Sequence, residues 1–210
     1  MAYNVLIVED QDMPRELFEI YINSSDEFNH LLSVQNASAA LSVCRNNKVD
    51  LILMDVMTEL GRSGLSAAEE IKREFSDVKI IIVTSMPEYS WLERARKIGV
   101  ESFWYKDGQK DSILSVMERT MAGESVYPDD TPLIRIGNTT NHEFTTRELD
   151  VLKELTTGDT NAAIAKRLNV SVPTVKSHIQ HMMEKTGFKT RTELVSEARS
   201  LGIVIKNKYN

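Results

Sequence analysis

A single cysteine, Cys44, in 210 residues leaves no disulfide framework and no thiolate metal site to build. No apolar run approaches the roughly 18 residues needed to cross a bilayer, and the N-terminus enters a strand pattern at once, without the charged region of a signal peptide. A cytoplasmic protein with no membrane partner is therefore expected. Internal repeats and low-complexity tracts are also missing. Positive charge is scarce in the first half: residues 1–125 carry 13 Lys+Arg against 21 Asp+Glu, net −8, whereas residues 141–210 carry 11 against 8, net +3. Between 165 and 191, six basic residues (166, 167, 176, 185, 189 and 191) accompany one acid, Glu184. This asymmetry suits an acidic regulatory half followed by a polyanion-binding half, although a solvated charged helix face would give the same count.

What the first half does have is short, unalternating apolar runs that each end in a chemically useful polar residue. Val5 to Val8 run into Glu9 and Asp10, Leu51 to Met54 into Asp55, Ile80 to Val83 into Thr84, and Ser102 to Tyr105 into Lys106. Such runs suit parallel strands buried on both faces, and ligands of these sheets sit beyond the strand carboxyl ends. A further strand is expected near 31–35, with helices near 13–23, 37–47, 64–75, 88–98 and 110–122. Five strands alternating with five helices predict a doubly wound α/β domain with a five-stranded parallel sheet over residues 1–122.

Residues 123–141 contain Pro128, Asp129-Asp130, Pro132 and Gly137 with little periodicity, and read as a linker. Residues 142–210 read as an all-α domain of four helices. Thr145 and Glu148 form a capping box, Leu149, Leu152 and Leu155 repeat at helical spacing, and Gly158 stops the segment. Asp159 or Thr160 caps a second helix ending at Asn169. Ser171 caps a third, with Pro173 tolerated in its first turn, and a fourth begins near Thr190 or Arg191.

The five polar strand ends suit phosphoryl chemistry. Glu9, Asp10 and Asp55 supply the hard oxygens that Mg²⁺ prefers, and Asp55 can attack phosphorus as a nucleophile. Thr84 can donate a hydrogen bond and Lys106 a positive charge to the equatorial oxygens, where transition-state charge gathers. In order and placement these residues resemble the receiver domain of two-component response regulators, over about residues 3–122. The resemblance implies that a histidine kinase phosphorylates Asp55 and that Glu9, Asp10, Asp55 and the Met57 main-chain carbonyl hold Mg²⁺. It also implies that Thr84 and Lys106 bind the phosphoryl group, and that Phe103, three before Lys106, is the switch aromatic. The chain departs from the family in the loop after Asp55. Thr58-Glu59 stands where Met-Pro is usual, and Gly64 lies nine residues after the Asp instead of eight, implying a loop one residue longer with Gly61 supplying the turn.

In the second half, two helices near 160–168 and 172–185 joined by Asn169-Val170-Ser171 have the lengths and short turn of a helix-turn-helix. The polar face Thr174, Lys176, Ser177, Gln180 and His181 lies opposite Val175, Ile179 and Met182. Lys can reach guanine or phosphate, and Gln can pair with adenine. The run Phe144-Thr145-Thr146-Arg147-Glu148, with Asn161, Ile164-Ala165, Leu168, Ser171, Thr174-Val175-Lys176 and His178, resembles the LuxR-type effector domain. With a receiver ahead of it, the chain resembles the NarL/FixJ class of transcription regulators. The resemblance implies base contacts from Lys176, Ser177 and Gln180, a further DNA contact from Thr174, phosphate contacts from Lys185, Lys189 and Arg191, and a homodimer formed on double-stranded DNA through the last helix.

Two other readings stay open from the sequence. The longer loop after Asp55 permits a degenerate receiver used for protein contacts beside phosphorylation-independent DNA binding. Asp55-Val56-Met57-Thr58 partly resembles the Asp-x-Asp-x-Thr signature of haloacid dehalogenase-like phosphatases, but Met57 occupies the place of the general acid/base, so a regulator and not an enzyme is expected.

Overall fold

The computed structural model describes residues 2–58, 63–107 and 112–205, and these divide into two compact units, one of residues up to Ser85 and Ser90–Asp130, the other of Met86–Tyr89 and the residues from Thr131 on. In the first, five strands alternate with five helices: β1 (Tyr3–Val8), α1 (Asp12–Asn23), β2 (Phe28–Val34), α2 (Ala37–Asn46), β3 (Leu51–Asp55), α3 (Gly64–Glu74), β4 (Lys79–Thr84), α4 (Tyr89–Ile98), β5 (Ser102–Tyr105) and α5 (Ile113–Met121). The expected start of the fifth helix at 110 and the turn residue Gly61 lie outside the described residues.

All five strands are parallel, in the order β2-β1-β3-β4-β5. Helices cover both faces, so the central strands are apolar throughout; every residue of β3 is buried. At about 25 cal/mol per Å², each buried Leu, Ile or Val contributes about 2 kcal/mol, which makes this sheet the main stabilising element of the unit. Strand β2 begins at Phe28, three residues before its expected start. The backbone N–H of Tyr3 bonds Glu27 O at 2.8 Å and Phe28 is buried, while the polar residues Asn29 and His30 on this edge strand hide the pattern. Trp91 is buried, and Trp104 packs edge-on against Phe18 with centroids 6.3 Å apart, so both rings serve the core.

The stretch expected as a linker, 123–141, is mostly folded. Its start is tied to β5: Val126 N–H bonds Ser102 Oγ at 3.1 Å and the Tyr127 hydroxyl bonds Val100 O at 2.8 Å. Its end belongs to the second unit, where β6 (Arg135–Ile136) and β7 (Thr139–Thr140) form a hairpin that buries Ile136 completely. Gly137 takes a left-handed φ of 58° at the tip. The tip lies against the end of a helix: Asn138 N–H bonds Thr186 O at 2.9 Å, and a Cβ on Gly137 would sit 2.2 Å from that oxygen.

After the hairpin come α6 (Thr146–Leu155), α7 (Asn161–Leu168), α8 (Val172–Thr186) and α9 (Arg191–Ser200). Each has a side-chain N-cap, from Thr145, Thr160, Ser171 and Thr190, and the boxes Thr145/Glu148 and Thr190/Glu193 are both closed. Such caps are worth about 1 kcal/mol each, enough to fix where these short helices begin. Asn169 ends α7 at φ 53°, a left-handed conformation that Asn tolerates, and so makes the tight turn into α8. Among the described residues no helix is long and apolar enough to cross a membrane.

Candidate functional site

The sheet topology brings the five polar strand ends together. With β1, β3, β4 and β5 adjacent and parallel, Glu9 and Asp10 follow β1, Asp55 ends β3, Thr84 ends β4 and Lys106 follows β5. The chain reverses its winding direction between β1 and β3, where α/β sheets open a crevice. Lys106 is threaded into place by its own backbone, whose N–H bonds Thr84 O at 2.9 Å. Its ammonium lies 2.5 Å from Glu9 Oε2 and 3.1 Å from Asp55 Oδ2. Glu9 Oε1 accepts from Gln11 N–H at 3.2 Å, and Asp55 Oδ1 accepts from Met57 N–H at 3.3 Å.

Burial decides the electrostatics. The Asp55 carboxyl is pushed up to about 7, first by desolvation and then by the neighbouring Glu9 charge, against the lowering effects of Lys106 and of the Met57 N–H. Burial pulls the Lys106 ammonium down, but Asp55 and Glu9 outweigh it and hold it above its ordinary value. One cation thus faces a concentration of carboxylates that it does not fully neutralise.

The residues fit a hard divalent cation. Glu9, Asp10 and Asp55 each bring a carboxylate oxygen within 4.8 Å of the others. Asp10 Oδ1 is buried without a hydrogen-bond partner among the described residues, an arrangement that costs energy unless something positive meets it.

The described ends of the unusual loop after Asp55 meet beside the strand end. Met57 pairs with Ser63 in an antiparallel bridge, and Gly64 N–H bonds Val56 O at 2.9 Å. A Cβ on Gly64 would lie 1.9 Å from Asp55 O, so only glycine lets α3 start this close to the strand end. Thr58 is buried, and its hydroxyl accepts from Ala37 N–H at 3.0 Å, tying the loop to the start of α2. Phe103, three residues before Lys106, is buried and packs against Tyr105 and Tyr127 at centroid distances of 5.1 and 6.3 Å.

The residues expected to read DNA divide in two. Lys176, Ser177, Gln180 and Lys189 are exposed, and Thr174 bonds the capping Ser171 at 2.8 Å at the start of α8. Lys185 and Arg191, expected at phosphates, make contacts within the fold. Lys185 Nζ lies 2.8 Å from the buried Glu148 and 2.9 Å from Glu143 O, while Arg191 bonds Asp159 O at 2.7 Å and Asn161 at 3.1 Å across the start of α7. Sequence reading overlooked the hairpin, although Gly137-Asn138 between Ile136 and Thr139 is a two-residue turn signal. Also unforeseen was the pairing of Gln180 Nε2 with Glu184 Oε1 at 2.8 Å.

Comparison with known proteins agrees with this geometry. The model of the response regulator receiver domain matches residues 5–118. The chain belongs to the response regulator family. Residues 142–198 match the luxR family of bacterial regulatory proteins, which makes this response regulator one of the NarL/FixJ class, with a LuxR-type DNA-binding domain. Among its relatives is response regulator protein VraR of Staphylococcus epidermidis, 28% identical over 201 residues that cover 93% of this chain and 95% of that one. VraR of Staphylococcus aureus is 27% identical over the same shares. Similar solved folds include a structure of two RcsB dimers bound to two parallel DNAs, at TM-score 0.64 and 19% identity, covering 96% of this chain and all of that one. RcsB from Salmonella enterica serovar Typhimurium, bound to promoter rprA in the presence of phosphomimetic BeF3−, aligns at TM-score 0.60 and 20% identity, covering 94% and 98%.

Proposed function

We propose that a histidine kinase phosphorylates this response regulator on Asp55 and that the modification controls sequence-specific binding of double-stranded DNA by α8, with a homodimer as the DNA-bound form. The observation that carries the reading is the contact of Lys106 with both Glu9 and Asp55 at the carboxyl edge of the sheet.

The chain's own residues divide the work. Asp55 is the nucleophile, and its raised affinity for a proton means that neighbouring positive charge decides how much of it is reactive at neutral pH. Lys106 supplies a fixed positive charge to the incoming phosphoryl oxygens, and Thr84, at the end of the adjacent strand, donates its hydroxyl to another. Glu9, Asp10, Asp55 and the Met57 carbonyl would hold Mg²⁺, which when bound offsets carboxylate repulsion and charge on the transferring group. Phe103 would change rotamer as the Thr84 hydroxyl moves toward the phosphoryl group. On DNA, Lys176, Ser177 and Gln180 would face base edges, Thr174 and Lys189 would lie beside the backbone, and α9 would meet its dimer mate. In the fold itself Lys185 and Arg191 serve as internal ties, so their part at phosphates is secondary.

The test is intact-mass measurement after incubation with acetyl phosphate and Mg²⁺. A gain of about 80 Da, one phosphoryl group, is expected in the wild type and absent in Asp55→Ala. A wild-type chain that gains no mass under these conditions would sink the phosphorylation reading and leave a receiver used for protein contacts.

A further inference from the structure

Glu184 is out of place on electrostatic grounds. It is the lone acid among six basic residues between 165 and 191, and it lies in the last turn of α8, where a helix favours positive charge. It also stands on a helix meant to approach a polyanion. Its side chain is exposed, and its bond is to Gln180, one turn earlier. Lys176, Gln180 and Glu184 recur every four residues and line one face of an open cleft of about 450 Å³.

The chemistry of the pair fixes which way the amide points. A carboxylate only accepts, so the group facing Glu184 must be the Gln180 nitrogen and not its carbonyl oxygen. One Gln180 N–H is thereby occupied. What remains for a partner is Oε1 beside a single N–H, an acceptor next to a donor. In the major groove that pattern complements adenine, which offers its N6 amine beside N7, whereas guanine offers two acceptors, O6 and N7. Turning the amide over to suit guanine would set Oε1 against the carboxylate at 2.8 Å. Exclusion of water at a DNA interface makes such a clash more costly than in the free protein.

We propose that Glu184 is a specificity-determining, positioning residue: it orients the Gln180 amide so that the middle of α8 selects adenine and rejects guanine at the base pair it faces. The inference rests on the reading of α8 as the recognition helix, and the experiment separates the two. A duplex selected from a random pool by the phosphorylated full-length chain is varied at each base pair, and affinities are measured for wild type, Glu184→Ala, Glu184→Gln, Gln180→Ala and Lys176→Ala. At one base pair the wild type should favour adenine over guanine by about tenfold. Gln180→Ala should abolish that preference, and Glu184→Ala should reduce it to about twofold. Glu184→Gln should fall between the wild type and Glu184→Ala, because a second amide can accept in one orientation only.

Loss of the acid also removes repulsion from DNA and raises affinity for every sequence, so the adenine-to-guanine ratio is the readout that this general charge effect does not move. An unchanged ratio in Glu184→Ala, or an unchanged preference in Gln180→Ala while Lys176→Ala weakens binding, overturns the proposal. If Lys176→Ala and Gln180→Ala both bind the selected duplex as the wild type does, the recognition-helix reading fails as well.

Discussion

The phospho-acceptor crevice and the exposed face of α8 solve opposite problems. In the crevice Glu9 and Asp55 are buried and Lys106 is already bonded to both, so the groups are arranged before any ligand arrives. On α8 the side chains of Lys176 and Ser177 stand in solvent, and the Ser171 cap and the buried face of Val175, Ile179 and Met182 fix the frame that carries them. The difference follows from what each must meet. A small, highly charged group is bound by fixed charges in a water-poor site, whereas a duplex brings its own extended charge and is met by side chains that can adjust. Consequently a substitution in the crevice should register in stability as well as chemistry, and one at the solvent-exposed Lys176 or Ser177 in DNA binding alone.

The largest expected effect is at Gly64. Alanine there would place its Cβ 1.9 Å from a backbone oxygen that cannot move without shifting the end of β3. The receiver should lose about 3 kcal/mol in urea unfolding, the upper range for overpacking, and phosphorylation by acetyl phosphate should slow with it. A loss under about 1 kcal/mol would mean that the close approach of Gly64 to the end of β3 yields freely.

Asp55 sharpens the contrast with pH. Its folded value, about 7, lies above the ordinary value of 3.8, so the folded chain holds the extra proton between these values. Stability from this group is present below about pH 4 and is lost as pH rises through 7. Asp55→Asn should therefore stabilise the Mg²⁺-free receiver by about 2 kcal/mol at pH 8, with the gain vanishing near pH 4. Lys106 keeps Glu9 as its partner in that variant. Added Mg²⁺ should raise the melting temperature of the wild type more than that of Asp55→Asn, because a cation is stabilising in proportion to the anionic charge it meets. A variant less stable than wild type at pH 8 without Mg²⁺ would show that the Lys106 contact outweighs the burial of Asp55.

How much of this was legible depended on whether a signal was local. The apolar runs of β1, β3, β4 and β5 named their strands and, through parallel topology, the convergence of Glu9, Asp10, Asp55, Thr84 and Lys106. The caps Thr145, Thr160, Ser171 and Thr190 were equally local. Edge strand β2 was blurred because its polar residues face solvent, where alternation has no fixed meaning. The hairpin at 135–140 was hidden by the turn-forming composition around it, although its chemistry was written in Gly137-Asn138. The internal contacts of Lys185 and Arg191 could not be read at all: their partners, Glu148 at 37 residues and Asp159 at 32 residues along the chain, are neighbours only after folding.

That last point gives the smallest effect and the most direct trial of the comparison, since Lys176 and Lys185 share one helix and one charge. Burial pushes the Glu148 carboxyl up, but bonds from Lys185 and from Thr145 more than offset it and hold the carboxyl below its usual range. Lys185→Ala removes one of these bonds while the Thr145 N–H, 2.8 Å from Glu148 Oε2, keeps the carboxylate satisfied. The cost should be about 1 kcal/mol, well short of the 3–5 kcal/mol for a stranded buried charge. Lys176→Ala should leave stability within about 0.5 kcal/mol and instead weaken DNA binding; if its ammonium meets a phosphate, the slope of log affinity against log salt should fall by about 1. Measured side by side, denaturation should single out the Lys185 variant and salt-dependent DNA titration the Lys176 variant. A Lys185→Ala chain that keeps full stability but loses DNA affinity as Lys176→Ala does would return Lys185 to the phosphate backbone and make the division between folding and reading residues on α8 wrong.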